Sequence, residues 1–237
     1  MVNGIGDTHT GRLDRLKTML KPPRTIIDII RHGEPVGGRM YRGHRDDPLS
    51  PLGWRQMQQA VEEYSGWQAI LSSPLLRCSE FAQSLAQKFD VPLQLDDRFK
   101  EINWGIWEGK TSSAICADQP DRLFRFRSDP VRLRPKGAED IRDFKQRVMN
   151  AWLEMIEQNQ GKNVLLVAHA GVIRAIISIV LDTPVQNIFS IKVANACVTR
   201  IRVFHLDDHD KYELIFHNGN LNQATRDTTV HVTASKT

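Results

Sequence analysis

The chain predicts an α/β fold, a three-layer α/β/α sandwich on a largely parallel central sheet. Short apolar runs alternate with stretches of helical periodicity, the pattern of strands joined by crossover helices. Two of these runs, Ile26-Ile27-Asp28-Ile29-Ile30 and Val164-Leu165-Leu166-Val167-Ala168, are apolar almost throughout, as strands covered on both faces are. The composition agrees: 237 residues, 41% hydrophobic and 25% charged, suit one well-filled core.

Residues 1–24 contain Gly4, Gly6 and Gly11, then a short amphipathic stretch with Leu13, Leu16, Met19 and Leu20, closed by Pro22-Pro23. They read as a mobile N-terminal extension. Residues 25–219 form the domain, with strands expected at Thr25–Ile30, Gln68–Ser72, Asn163–Ala168, Val198–His205 and Glu213–Phe216. Ser50-Pro51 and Ser73-Pro74 each join an N-cap serine to a proline in the first helical turn, so a helix is expected at each. The first turns Trp54, Met57 and Val61 inward, and the second Cys78, Phe81, Ala82 and Leu85, at three- and four-residue spacings. A third helix, about Glu139 to Glu157, follows the turn Pro135-Lys136-Gly137 and buries Phe144, Val148, Trp152 and Met155. A fourth, about Gly171 to Leu181, is apolar enough to be largely buried. Residues 220–237 read as a polar, threonine-rich tail.

Lysine and arginine number 32 against 28 acidic residues, a net charge of +4. The basic residues are spread out and lack the aromatic interleaving of a nucleic-acid surface, so the excess suits small anions, not nucleic acid. No apolar run approaches the roughly 20 residues of a membrane helix, and no secretory stretch is read at the start. The expected setting is cytoplasmic, with no membrane association. Cys78, Cys116 and Cys197 show no CxxC spacing, which argues against a disulfide framework or a zinc site. His205-Leu206-Asp207-Asp208-His209-Asp210 lies between two strand patterns and reads as a polar hairpin turn, not a metal site. No cofactor is called for. The oligomeric state stays open, a homodimer included, since the amphipathic N-terminal stretch could dock on the body or on a partner subunit.

The chemistry concentrates where strands end. Arg31-His32-Gly33-Glu34 follows one buried strand and His169-Ala170-Gly171 another, and two histidines at carboxyl ends of parallel strands converge on the crevice where such sheets bind ligands. The arginine and a flexible glycine beside His32 suit a nucleophile that meets an anion. Arg77, in the first turns of the second helix, joins Arg31 as a second planar fork for a phosphate, with helix N-termini adding N–H donors. Glu101 lies in Phe99-Lys100-Glu101-Ile102-Asn103-Trp104-Gly105-Ile106-Trp107-Glu108-Gly109, where surrounding aromatics would desolvate a carboxyl group and suit it to proton transfer. Glu108 and Glu34 compete for that role, and Tyr41, Arg42 and His44 are candidates for the substrate entrance.

Taken together, Arg31-His32-Gly33-Glu34, Asp46 with Pro48-Leu49-Ser50 and Gly53, Ser72-Ser73-Pro74 with Arg77, Glu101 with Trp107-Glu108-Gly109, Gly137 with Glu139, and His169 with Gly171 resemble the histidine phosphatases, the phosphoglycerate mutase-like superfamily. The resemblance covers roughly Thr25 to His217. It implies His32 as the phosphorylated nucleophile, Arg31, Arg77 and His169 as phosphate ligands with Gly171 beside them, and Glu101 as the proton donor. The segment Glu34 to His44, with Trp104 to Gly109 and Arg134 to Glu139, is similar to the alpha-ribazole phosphatase branch of cobalamin assembly. Many relatives carry a phosphate-contacting asparagine shortly after the histidine motif; here Gly37-Gly38 stand on a shorter connection, and Arg42 is the candidate replacement. The implied activity is metal-free hydrolysis of a small phosphorylated metabolite. A phosphoglycerate mutase, a phosphohistidine protein phosphatase and a non-catalytic phospho-ligand-binding module are the alternatives. The Trp-Glu-Gly pattern resembles hydrolases more than mutases, and a binding module has no need of a general acid.

Overall fold

A computed structural model describes residues 22–61, 64–219 and Leu221. The expected extension and tail therefore lie, but for a few residues, outside the described residues. Six strands form one sheet: β1 (Arg24–Arg31), β2 (Ala69–Ser72), β3 (Leu93–Leu95), β4 (Asn163–Ala168), β5 (Val198–His205) and β6 (Asp210–Gly219). Their order is β3-β2-β4-β1-β5-β6, parallel from β3 to β1, with the β5–β6 hairpin antiparallel at one side. The parallel part is the predicted one. β3 is a strand the hydrophobic pattern did not disclose, because Leu-Gln-Leu is too short to show a period.

Alternation along the strands splits the core in two. Ile27, Ile29, Val164 and Leu166 face α5 (Ile141–Gln158) and α6 (Ala170–Val180). Ile30, Ile70, Leu165 and Val167 face α1 (Pro51–Val61) and α2 (Leu76–Phe89). Two further helices among the described residues, α3 (Ser112–Ile115) and α4 (Arg122–Ser128), are too short for the sequence periodicity to signal. They build a cap in which Trp104, Trp107, Phe126 and Phe189 pack together.

The helix starts differ in one instructive case. Ser50 Oγ accepts from the Gly53 N–H at 3.0 Å, as an N-cap serine should. Ser73 instead precedes a helix that begins later, at Leu76 behind Leu75; its hydroxyl accepts from the Leu75 N–H at 3.3 Å and lies 2.7 Å from His169 Nε2. Asp46 Oδ1, from a distant loop, accepts from the Leu76 N–H at 2.7 Å in its place. The third helix also starts two residues late, at Ile141, capped by Asp140.

Asp28, the one polar residue of its apolar run, sits opposite Arg200 in the β1–β5 register and is fully buried. Arg200 donates to both its oxygens at 2.7 and 2.8 Å, and Trp67 Nε1 adds a third bond at 2.9 Å. A buried charge tolerates this position only because it is paired and hydrogen-bonded.

Gly33, read from the sequence as a flexible glycine beside His32, serves a close backbone approach. A Cβ there would lie 2.2 Å from the Gly53 carbonyl oxygen, and one on Gly53 would lie 2.1 Å from the Glu34 carbonyl oxygen. Two backbones meet where no side chain fits. Gly53→Ala is expected to lower stability by about 1–3 kcal/mol, the range for overpacking, because backbone cannot swing aside as a side chain can. Urea denaturation checks this as a lower midpoint.

Candidate active site

The register of the parallel strands builds the centre of the site. Arg31 lies opposite Ala168 and Ser72 opposite Val167, so the three carboxyl ends of β1, β4 and β2 finish side by side. The ladder continues one step further, the His32 N–H donating to Ala168 O and the Ser73 N–H to Val167 O, both at 3.0 Å. His32 and His169 therefore emerge together, ring centroids 5.2 Å apart.

His32 Nδ1 lies 2.7 Å from Gly33 O. A carbonyl only accepts, so Nδ1 carries the proton and the neutral ring presents its lone pair at Nε2. Burial, with Arg31 and Arg77 close by, holds the imidazole well below the usual histidine range. His169 is fully buried, its Nε2 bonded to Ser73 Oγ at 2.7 Å, and burial with Arg77 and His32 nearby also keeps it neutral. The Cys78 thiol packs 3.6 Å from that Nε2 and donates to Ala168 O at 3.4 Å. Burial pushes its pKa up, so it stays protonated.

His32 opens on a cavity of about 500 Å³. Arg31, Arg39, Arg42, Arg77, Arg127, Arg174 and Lys192 line it, against only two carboxylates, Glu34 and Glu101. Arg31 is anchored by Nη1 on Val193 O at 2.7 Å, and Arg77 by Nη1 on Arg45 O and Nη2 on Gly43 O at 2.7 and 2.8 Å. In both, Nε is buried without a hydrogen-bond acceptor. Two largely buried cations beside a cavity are what a bound oxyanion would neutralise. Arg42 is largely committed: Nε donates to Asp47, and Nη2 to Val36 O and Gly38 O at 2.7 and 2.6 Å. It holds the Gly37-Gly38 turn in shape while lining the cavity.

Glu101 reaches the same cavity. Its Oε1 accepts from the Ile102 N–H at 3.0 Å and its Oε2 from the Gly171 N–H at 3.1 Å, so main-chain amides orient the carboxylate. Gly171, expected beside the phosphate, has its N–H taken up by Glu101 instead. A Cβ there would lie 2.1 Å from Glu101 Oε1, so the glycine makes room for the carboxylate. Glu108 is occupied elsewhere, its Oε1 accepting from the His44 and Trp104 N–H groups. Glu34 lines the cavity, with its main chain bound to Gln56 and Ser50.

Of the entrance candidates, Tyr41 lines the cavity, stacks edge-on against Trp104 and Trp107, and its hydroxyl accepts from Arg127 Nη2 at 3.2 Å. Arg174 escaped the sequence reading. It lies one turn into the helix after His169, five residues past a strand-end histidine much as Arg77 lies four past Ser73, so the same logic applied to α6 would have found it. Its Nε donates to Ile191 O at 2.8 Å, and burial lowers its pKa. Arg39, Arg127 and Lys192 come from loops and the cap, where no spacing signals them. His205 to Asp210 is the β5–β6 turn, and among the described residues no cluster fit for a metal ion is found. No described helix is long and apolar enough to cross a membrane.

The model of the histidine phosphatase superfamily (branch 1) matches residues 27–213. A glucosyl-3-phosphoglycerate phosphatase of Mycobacterium tuberculosis is 34% identical over 172 residues, 67% of this chain and 76% of its own length. The adenosylcobalamin/alpha-ribazole phosphatase of Escherichia coli K12 is 25% identical over 179 residues, covering 74% and 88%. The solved structure of mycobacterial glucosyl-3-phosphoglycerate phosphatase with VO3 superposes with a TM-score of 0.74 at 30% identity, over 84% of this chain and 100% of that one.

The neutral histidines set a pH dependence of stability. In the unfolded chain each would take up a proton near pH 6.5, whereas the folded chain holds both neutral to well below it. The unfolded state then binds more protons, so stability is full above that pH and falls as pH drops beneath it, at up to about 2.7 kcal/mol per pH unit for two groups. Urea titrations at decreasing pH should show this decline, and His169→Gln should reduce its slope by about half.

Proposed function

The chain belongs to the histidine phosphatase superfamily and is a phosphatase; from that premise we propose that it hydrolyses small phosphorylated metabolites through a phosphohistidine on His32. The observation that carries this reading is the Nδ1 to Gly33 O bond, which leaves a neutral Nε2 aimed into a cavity ringed by arginines.

In the first step the Nε2 lone pair attacks phosphorus in line. The N–P bond forms as the ester P–O bond breaks, and Glu101 gives its proton to the departing oxygen. Arg31 and Arg77 hold the non-bridging oxygens, where the transition state gathers charge. In the second step water attacks phosphorus and passes a proton to Glu101, the N–P bond breaks, and inorganic phosphate leaves with His32 restored. His169, expected as a phosphate ligand, is fully buried with its Nε2 on Ser73 Oγ and does not line the cavity; in this scheme it packs behind His32 and backs the nucleophile. No metal enters this scheme.

For the leaving group, seven cations against two carboxylates favour an ester that carries further negative charge. The names of the mycobacterial relatives agree with a phosphoglycerate-bearing substrate. Alpha-ribazole 5'-phosphate is the second reading, supported by the Glu34 to His44 segment and by the Escherichia coli relative.

His32→Ala should abolish phosphate release and acid-labile labelling of the chain; near-full activity in this variant would overturn the mechanism. A phosphate-release screen across glucosyl-3-phosphoglycerate, phosphoglycerates, sugar phosphates, nucleotides and alpha-ribazole 5'-phosphate should rank the anionic esters first. Activity that needs a bisphosphoglycerate primer and releases no net phosphate would instead mark a mutase.

A further inference from the structure

Glu101 stands on an irregular segment between a 3-10 turn at Asp97–Phe99 and another at Gly105–Trp107, so no strand or helix fixes its position. One side chain does so from outside. Arg147, on α5, directs Nη1 to Arg98 O and Lys100 O at 2.7 and 2.8 Å, and Nη2 to Glu101 O at 3.1 Å. Its other edge grips Glu139 in a two-bond fork, Nε to Oε1 at 2.6 Å and Nη2 to Oε2 at 2.9 Å. Glu139 Oε2 in turn accepts from the Asn103 N–H at 3.3 Å, and the Glu139 N–H donates to Asn103 O at 3.0 Å.

A guanidinium has five N–H donors, and all five are used here. The Arg147 plane also lies against the Phe144 ring, 4.8 Å from its centroid. A Cβ on Gly171 would lie 3.2 Å from that ring's tip, so Phe144 abuts the residue whose N–H holds the carboxylate. Thus the carbonyl end of Glu101 is fixed by Arg147 and its carboxylate end by Gly171, from two adjoining helices.

Resting on the reading of Glu101 as proton donor, we propose that Arg147 is a positioning residue for it: by clamping the carbonyls of residues 98, 100 and 101, it sets the carboxyl group where the leaving oxygen needs its proton. Lysine supplies the charge but not the planar fork, so Arg147→Lys lets the segment relax.

The test separates proton donation from general damage. Phenyl phosphate has a poor leaving group that needs a proton, whereas 2,4-dinitrophenyl phosphate hardly needs one. General acids contribute about 10²–10⁴-fold, so a misplaced one should cost kcat/KM for phenyl phosphate about tenfold or more beyond the loss for the dinitrophenyl ester. Glu101→Gln should show the same skew, larger. Equal losses on both esters in Arg147→Lys, with Glu101→Gln skewed, would overturn the positioning role alone. Equal losses in Glu101→Gln would overturn the proton-donor reading and this role with it. Should Arg147→Lys fail to fold, Glu139→Gln loosens the fork with the guanidinium in place; a smaller skew supports the proposal, and its absence overturns it.

Discussion

The site depends on a hydrogen bond that belongs to the sheet. The His32 N–H to Ala168 O bond extends the β1–β4 ladder one residue past the strand, and from there side chains enter a crevice instead of a core. Once it is made, the register leaves little choice: His169 must emerge beside His32, Ser73 beside both, and Arg77 one turn further on. Parallel strands hold this geometry rigidly because both faces are covered and a slip of one residue would turn the whole apolar set around.

Around that edge the fold accepts unfavourable terms. Arg31 and Arg77 are buried cations with Nε donors unmet, and two imidazoles are kept neutral beside them. Each would be disfavoured in an ordinary core. The packing above and below supplies the compensation: nearly every residue of β4 and of the first two turns of α6 is buried apolar surface. The expected decline of stability in acid is the outward sign of this strain, since it comes from histidines held where they cannot protonate.

What could be read beforehand follows from range. Strand ends, helix faces and the pair of histidines are local patterns, and His32, His169 and Arg77 all lie near the edge their strands imply. Glu101 was legible as a carboxylate among aromatics, yet the aromatics pack in the cap while two amide N–H groups hold the carboxylate. Ser73 looked like a helix cap because spacing cannot tell that its hydroxyl binds a histidine 96 residues away. Gly33 looked pliant, although its role is to meet Gly53. Arg147 and Arg127 were silent for the same reason, since their partners, backbone carbonyls with Glu139 for the one and the Tyr41 hydroxyl for the other, stand far off in the chain or carry no sequence signature.

The crowd of positive charge around the cavity has a consequence for turnover. If Arg31 and Arg77 hold the phosphoryl oxygens as proposed, they offer the same donors to an ester and to free phosphate, because the oxygens they would meet are common to both. Such binding does not distinguish start from finish. On the proposed mechanism a pocket with this composition would retain its own product, so the departure of phosphate would compete with chemistry as the slow event, and the concentration of inorganic phosphate around the protein would govern how much of it is free to work.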